Sequence, residues 1–395
     1  MIEQRLFILT NDPVPYGTAN ANYIRNFAKA VSSRGWKVIV IGMKLDEHES
    51  ELYEIQDESE NKIQYFNINA SKLGAKNYLQ AYFLRRKNYT KALDYFRASS
   101  NDCIVVYTTE LATQQAALSY KMVSNSHKAY CEVEWFQPYQ YKHGEFSILY
   151  ILWKYAFQKR AKDFKKAIPI SKNLENYCLK NQCETMIVPA LIDAEEGHVV
   201  DVNSKFVNFI YPGSASDKDS FPCMIKALCN LSDEEKKGIR FHLTGSMTKE
   251  KLIQILDSDE AISQLKDVII YHGWMEYYDL MNLYNQSDYL LLARPENVVT
   301  ISNFPSKVPE MMNYGIVPVC SKVGDYTETY LQDGYDSIQF DKDNTEACKL
   351  AVKKAIECKK NGMLKEMRAN ARKTAVEKFD FHSYGNRIIN FLSKE

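Results

Sequence analysis

Two short stretches in the second half of the chain gather groups able to bind an anion. The first, "NFPSKVPE" (Asn303 to Glu310), places the Ser306 hydroxyl, the Lys307 ammonium and the Glu310 carboxylate between and beside Pro305 and Pro309. Gly315 and the apolar run "IVPVC" after it predict a helix from about Lys307 to Tyr314, ended by glycine and leading into a strand. Proline is tolerated in a first helical turn, where its missing N–H would have no partner anyway. The free N–H groups of that turn, the positive helix end, Ser306 and Lys307 then converge on a volume suited to a diphosphate. Glu310, about one turn in, is placed to accept hydrogen bonds from the vicinal diol of a ribose. The plainer alternative is that Glu310 only complements the helix dipole and Ser306 only caps.

The second stretch is "YPGSASDKDSF", Tyr211 to Phe221, which follows an apolar run and precedes a helical pattern. Gly213 permits a tight turn, Ser214 and Ser216 offer hydroxyls, and Lys218 brings a cation. Alone, such a loop reads as a solvated turn; two of them after strands of one sheet reinforce each other. Asp217 and Asp219 have the spacing of a metal-binding pair, but Lys218 between them would repel a divalent ion, so a structural or salt-bridge role is the better reading. The seven histidines are dispersed without paired metal-ligand spacing, and no metal site is expected. In the first half, "EVEWFQPYQYKHGEF" empties a strand into an aromatic, polar loop. There Glu134, Trp135, Tyr139 and His143 suit saccharide stacking and hydrogen bonding, with Glu134 the candidate base for an acceptor hydroxyl. A buried tryptophan among solvated neighbours is the competing interpretation.

The elements that must position these groups alternate. "RLFILT", "KVIVIG", "KIQYFNI", "CIVVYT", "KAYCEVEW", "AIPIS" and "TMIVPA" read as strands separated by helices, with Thr18 an N-cap and Gly35 a terminator of the first helix. A polar break follows, and the alternation restarts with "FVNFIYPG", "IRFHLTG", "DVIIYHG", "DYLLLA" and "IVPVCS". Such alternation predicts parallel β-α-β units. The expected architecture is α/β, two facing Rossmann-like doubly wound domains with a cleft between them. The first spans 1–190, a linker 191–204, and the second 205–379; the amphipathic segment 380–395 is expected to return to the first domain. Basic and acidic residues balance at 50 each in 395 residues, which argues against a nucleic-acid partner. Nine scattered cysteines without a C-x-x-C pair read as reduced thiols of a cytoplasmic protein. The N-terminus lacks a signal layout, and no apolar run is long enough to span a bilayer.

These loops and their strand–loop–helix contexts resemble the GT-B glycosyltransferases, and more narrowly glycosyltransferase family 4, whose members build bacterial surface polysaccharides. The resemblance covers most of the chain and includes "YGTANANYIRNFAKAVSSRGWKVIVIG" in the first half. It implies transfer of a hexose-type sugar from a nucleotide diphosphate sugar, UDP-sugar favoured, with retention and without a metal or other cofactor. The implied acceptor is a saccharide or a polyprenyl-diphosphate-linked saccharide. By position, Lys218 would stabilise the leaving diphosphate and Glu310 hold the ribose as the second glutamate of a Glu–seven residues–Glu motif. Asn303, Phe304, Pro305, Ser306 and Lys307 would present backbone N–H groups to sugar and phosphate, beside Gly213 and Ser214. His272 and Trp274, in "YHGWM", would lie at the base, and Gly17 would approach from the other domain. Two departures stand out: Ser302 replaces the first glutamate of the motif, and Ser214 replaces an arginine frequent after the loop glycine. They make conceivable a catalytically degenerate nucleotide-binding homologue; a GT-B nucleotide-sugar epimerase is the other alternative, which would need extra acid and base residues near the sugar, and no convincing set of these is present. Two basic, aromatic helices, "YFLRRKNYTKALDYFR" and "YILWKYAFQKRAKDFKK", suit either peripheral contact with an anionic membrane at the inner face of the plasma membrane or plain solvated helix faces over a core.

Overall fold

A computed structural model of the chain describes residues 4–44, 51–56, 62–69, 78–107, 109–201, 204–213 and 218–394. Its contacts divide the chain into two units, Met1–Leu191 with Phe381–Glu395, and Ile192–Asp380. Both are Rossmann-like.

In the first unit the apolar runs become β1 (Arg5–Thr10), β2 (Lys37–Lys44), β3 (Glu51–Gln56), β4 (Lys62–Asn69), β5 (Cys103–Tyr107), β6 (Lys128–Glu132), β7 (Lys166–Pro169) and β8 (Glu184–Thr185). They form one sheet in the order β3-β4-β2-β1-β5-β6-β7-β8. Among the described residues only the β3–β4 pair is antiparallel. The residues of β5 and β6 are buried on both faces, as in a parallel sheet covered by helices on each side. Phe7, Leu9, Ile39, Ile41, Ile104 and Val106 of one face pack with Tyr89, Ala92, Leu93, Ala116 and Ala117 from two helices. Thr18 does cap the first helix, its hydroxyl accepting from Ala21 N at 3.0 Å. Of the segment "TMIVPA" only Thr185 lies within a strand, although beyond it Met186 and Val188 still donate to the β7 carbonyls of Ala167 and Pro169 at 3.2 and 3.1 Å. The edge strand β3 was not expected from the sequence.

The second unit contains β9 (Val207–Tyr211), β10 (Ile239–Thr244), β11 (Ile269–Gly273), β12 (Tyr289–Leu292), β13 (Val317–Ser321) and β14 (Ile338–Phe340), all parallel, in the order β11-β10-β9-β12-β13-β14. β14 has three residues, too short for its apolar pattern to register in sequence. Within the stretch read as a linker, Arg372 donates to the carbonyls of Ala194 and Gly197 at 2.6 and 3.1 Å, and Arg368 to that of Val200 at 3.1 Å. Ile192 to Val200 therefore packs on the second unit. The closing helix Gly385–Ser393 lies against the helix Ala19–Ser32, so close that a Cβ on Gly385 would sit 2.1 Å from the carbonyl oxygen of Ala30.

Candidate functional site

The centre of the second sheet is a switch point. From β9 the chain winds out through β10 and β11, while β12, on its other side, leads out through β13 and β14. Loops leaving two such strands diverge and open a crevice beyond their carboxyl ends. After β9 comes the loop of Gly213 and Lys218; after β12 comes Arg294.

Gly213 has φ +84°, left-handed backbone that favours glycine, and its N–H donates to Thr244 Oγ1 at 2.9 Å. Ser214, Ser216 and Asp217 lie outside the described residues. Lys218 is half-buried. Its neighbour Asp219 is the hub of a charge cluster: Arg294 Nε stands 3.3 Å from Asp219 Oδ1, Lys307 Nζ 3.6 Å from Oδ2, and the Tyr211 hydroxyl donates to the same carboxylate. Lys307 Nζ also lies 4.8 Å from the centroid of the Tyr211 ring. The sequence-level reading of these aspartates as ion-pair formers holds for Asp219.

Arg294 is 1% exposed, with its Nε 3.5 Å from the carbonyl of Lys218 and its Nη2 donating to Asn303 Oδ1 at 3.0 Å. One buried guanidinium thus ties the loop after β9 to the loop before the helix Lys307–Asn313. Its Nη1 has no hydrogen-bond partner among the described residues. Two cations, Arg294 and Lys307, share the one carboxylate of Asp219 here, so this cluster carries excess positive charge. Such an excess suits a diphosphate. Sequence reasoning missed Arg294, although a cation directly after the buried run "DYLLLA" is a usable signal.

The helix forms over Lys307–Asn313, with Tyr314 at its C-cap and Gly315 behind it at φ +66°. Val308 N bonds Pro305 O at 2.9 Å, so the turn begins at the proline. Ser306 occupies the N-cap position without making a side-chain cap hydrogen bond, which sets aside its plain capping role. Glu310 Oε1 accepts from the Tyr284 hydroxyl at 3.1 Å, and Tyr284 packs against Tyr314. The Phe304 side chain is buried against Tyr326, Tyr330 and Phe379, so only its backbone is available to a ligand. Ser302, where the family pattern has glutamate, is fully buried.

His272 and Trp274 line a cavity of about 530 Å³ together with Met275, Glu276, Asp279, Asn282, Leu283 and Gln286. Trp274 is 82% exposed, an open aromatic face. Behind it, His242 Nδ1 and His272 Nε2 are 3.0 Å apart. Burial, aided by His272 and Arg240, pushes His242 down to about 4, and burial also lowers His272. The pair is neutral at physiological pH and adds no charge to the cavity.

In the first unit, Gly17 follows β1, with open space where a side chain would project. Trp135 packs edge-on to Phe157 and Tyr177, at 5.1 and 5.4 Å between centroids, so much of its surface is committed to the fold. Tyr139 and His143 are exposed on the same loop. Glu134 is half-buried and near enough to Asp12 to contribute to the raised pKa of that carboxyl, whose main cause is burial. Asn20 Nδ2 donates to both oxygens of Asp12, and the Tyr107 hydroxyl to Asn20 Oδ1 at 3.2 Å. Asp12 therefore joins Glu134 at the carboxyl edge of the first sheet. It was not singled out from sequence, though it lies two residues beyond the end of the first strand. Among the described residues no group of three or more metal-ligating side chains occurs.

Residues 196–374 match the family described as glycosyl transferases group 1, a stretch lying within the second unit and containing Lys218, Arg294, Lys307 and Glu310. A glycosyltransferase from Rickettsia africae ESF-5 superposes with a TM-score of 0.67 at 13% identity, covering 100% of this chain and 99% of that one. Sucrose-phosphate synthase from Thermosynechococcus elongatus gives 0.72 at 12% identity, with 98% of each chain covered. HepE of Anabaena, solved with UDP and glucose, gives 0.67 at 13% identity and 99% of each. No curated protein matches the sequence. The fold is GT-B, and the second unit is a group 1 glycosyl transferase domain. The protein is a glycosyltransferase, in agreement with the resemblance to family 4.

Proposed function

We propose that the enzyme moves a hexose-type sugar from a UDP-sugar, with retention and without a required metal or other cofactor, to a saccharide or polyprenyl-diphosphate-linked saccharide in cell-surface polysaccharide synthesis. The observation that carries this reading is the cationic cluster at the β9–β12 switch point, where Arg294 and Lys307 stand against Asp219 and Arg294 also reaches the Lys218 backbone, beside the Gly213 turn. In the reaction the bond between the anomeric carbon and the diphosphate oxygen breaks, a new bond forms to the acceptor oxygen, and UDP leaves with the added negative charge. Prearranged cations stabilise that charge as it develops. Lys218 and Lys307 are the groups to do so, with Arg294 holding their loops in register. Glu310, oriented by Tyr284, binds the ribose diol, and the cavity of His272 and Trp274 takes the base. Glu134 accepts the proton lost by the acceptor hydroxyl.

Metal independence is supported by the charge balance: Asp219 is already neutralised by two cations and is a poor ligand for a divalent ion. The UDP preference is supported by HepE, which binds UDP and glucose. A lipid-linked acceptor places the work at the cytoplasmic face of the plasma membrane. Among the described residues no helix is long and apolar enough to cross a membrane.

The test is incubation with a panel of nucleotide sugars and saccharide acceptors, with and without EDTA, reading nucleotide release and the anomeric configuration of the product by NMR. Release of UDP with retention, unaffected by EDTA, is expected. Epimerised donor without UDP release would replace this reading, and an inverted product or loss of turnover in EDTA would overturn those parts of it.

A further inference from the structure

The helix Ile148–Tyr155 of the first unit is apolar on both of its sides. Its inner side is accounted for: Tyr150 and Trp153 are buried, Trp153 against Phe136 and Phe157. Its outer side is not. Ile148, Leu149 and Ile151 are each about half exposed, at 52, 53 and 51%, Tyr155 is exposed too, and Phe146 on the preceding turn is 88% exposed. A helix of a water-soluble fold normally turns charge to solvent opposite its buried stripe. Here five large apolar side chains fall in ten residues, a density found in no other stretch among the described residues. A contiguous apolar patch of this kind marks an interaction surface.

The flanks say what covers it. From Lys142 to Lys165 the chain has six lysines and arginines against two acidic residues, in a protein whose total charges balance. Lys154, Lys159 and Lys162 are exposed, and Arg160 lies 5.9 Å from the centroid of the Tyr155 ring at the end of the apolar side. A second copy of the chain is a poor occupant. A two-fold contact would set this patch against itself, with basic flank facing basic flank. An anionic bilayer offers what both parts need, acyl chains for the apolar side and negative headgroups for the lysines.

We infer that the outer face of Phe146–Tyr155, with the cations of 154–162, docks the protein on an anionic lipid surface. The basic helix Tyr78–Tyr95 is not the docking element: Tyr89, Ala92 and Leu93 commit it to the core, and its exposed aromatics are scattered. The inference deepens the reading of an enzyme acting at a membrane and rests on it for the purpose of docking; the surface itself is argued from exposure and charge.

The experiment is flotation of the full chain with vesicles of phosphatidylcholine alone and of phosphatidylcholine mixed with phosphatidylglycerol. The protein is expected to float with the anionic vesicles only, and less as salt is raised. Ile148→Asp with Ile151→Asp should abolish flotation. Lys159→Gln with Lys162→Gln should lower partitioning by roughly fivefold per cation removed. All these positions are exposed, and UDP release from soluble UDP-sugar is read in parallel. Variants that stop floating yet still release UDP confirm the surface. No flotation of the natural chain, undiminished flotation of the aspartate variant, or a concentration-dependent dimer abolished by that variant would each overturn it. Flotation as described, with no UDP release from any donor, leaves the surface standing and removes the transferase reading instead.

Discussion

Replacing Asp219 with alanine is the sharpest probe of the switch-point cluster. Asp219 and Arg294 have side chains only 5% and 2% exposed, so the substitution leaves a guanidinium charge in the interior without its counterion. Removing one partner of a buried ion pair costs about 3–5 kcal/mol. Arg294 retains Asn303 Oδ1 and the Lys218 carbonyl, and Lys307 is still partly open to water, so the lower end of that range applies, about 3 kcal/mol. For a unit of this size each kcal/mol moves the melting temperature by roughly 2–4 °C, giving a fall of about 6–12 °C in the transition of the second unit. Differential scanning calorimetry reads it. The pair Asp219→Leu with Arg294→Met, which removes both charges, should recover much of the loss, because the penalty lies in the orphaned charge. A melting point for Asp219→Ala within about 2 °C of the natural chain would refute the cluster as a buried ion pair.

The catalytic assignments predict that Lys218→Ala and Glu310→Ala each lower turnover by roughly 100-fold or more while the fold persists; near-normal UDP release in both would remove these roles. Tyr284→Phe deletes one hydrogen bond to Glu310 worth about 1 kcal/mol and should raise KM for the UDP-sugar by roughly fivefold, measured by initial rates. Glu132 is fully buried, with the Thr109 hydroxyl donating to it, and burial pushes its carboxyl up to about 8. Between the ordinary glutamate value of 4.5 and about 8, the folded chain keeps a proton that the unfolded chain releases, so this group makes stability fall as pH rises through that window. Glu132→Gln should flatten the decline in melting temperature between about pH 5 and 8, and parallel curves for the two proteins would contradict the buried-acid account. His242, depressed to about 4, predicts that affinity for a UDP-sugar, whose diphosphate has no ionisation near neutrality, is level from about pH 6 to 8, which titration calorimetry checks.

Much of this architecture is written locally. Runs such as "RLFILT" and "IVPVC" are apolar on both faces, which only a parallel sheet with helices on each side can bury, and the alternation with amphipathic helices sets the doubly wound order. The short strands β3 and β14 escaped because pairing at a sheet edge, not their own composition, makes them strands. The loops of Gly213 and Ser306 were legible because glycine, proline and a cation at a strand end have local physical reasons to be there. Which side chains meet was not. Asp219 is separated from Arg294 and Lys307 by a long stretch of chain, and only the placing of β9 beside β12 brings the two cations to its carboxylate. The same holds for the outer face of Ile148–Tyr155: its residues look like core in sequence, and only the packing of Tyr150 and Trp153 decides which apolar side faces water. Periodicity is a property of neighbours along the chain, whereas ion pairing and exposure depend on which distant segments come within a few ångströms, and that is settled by the sheet order.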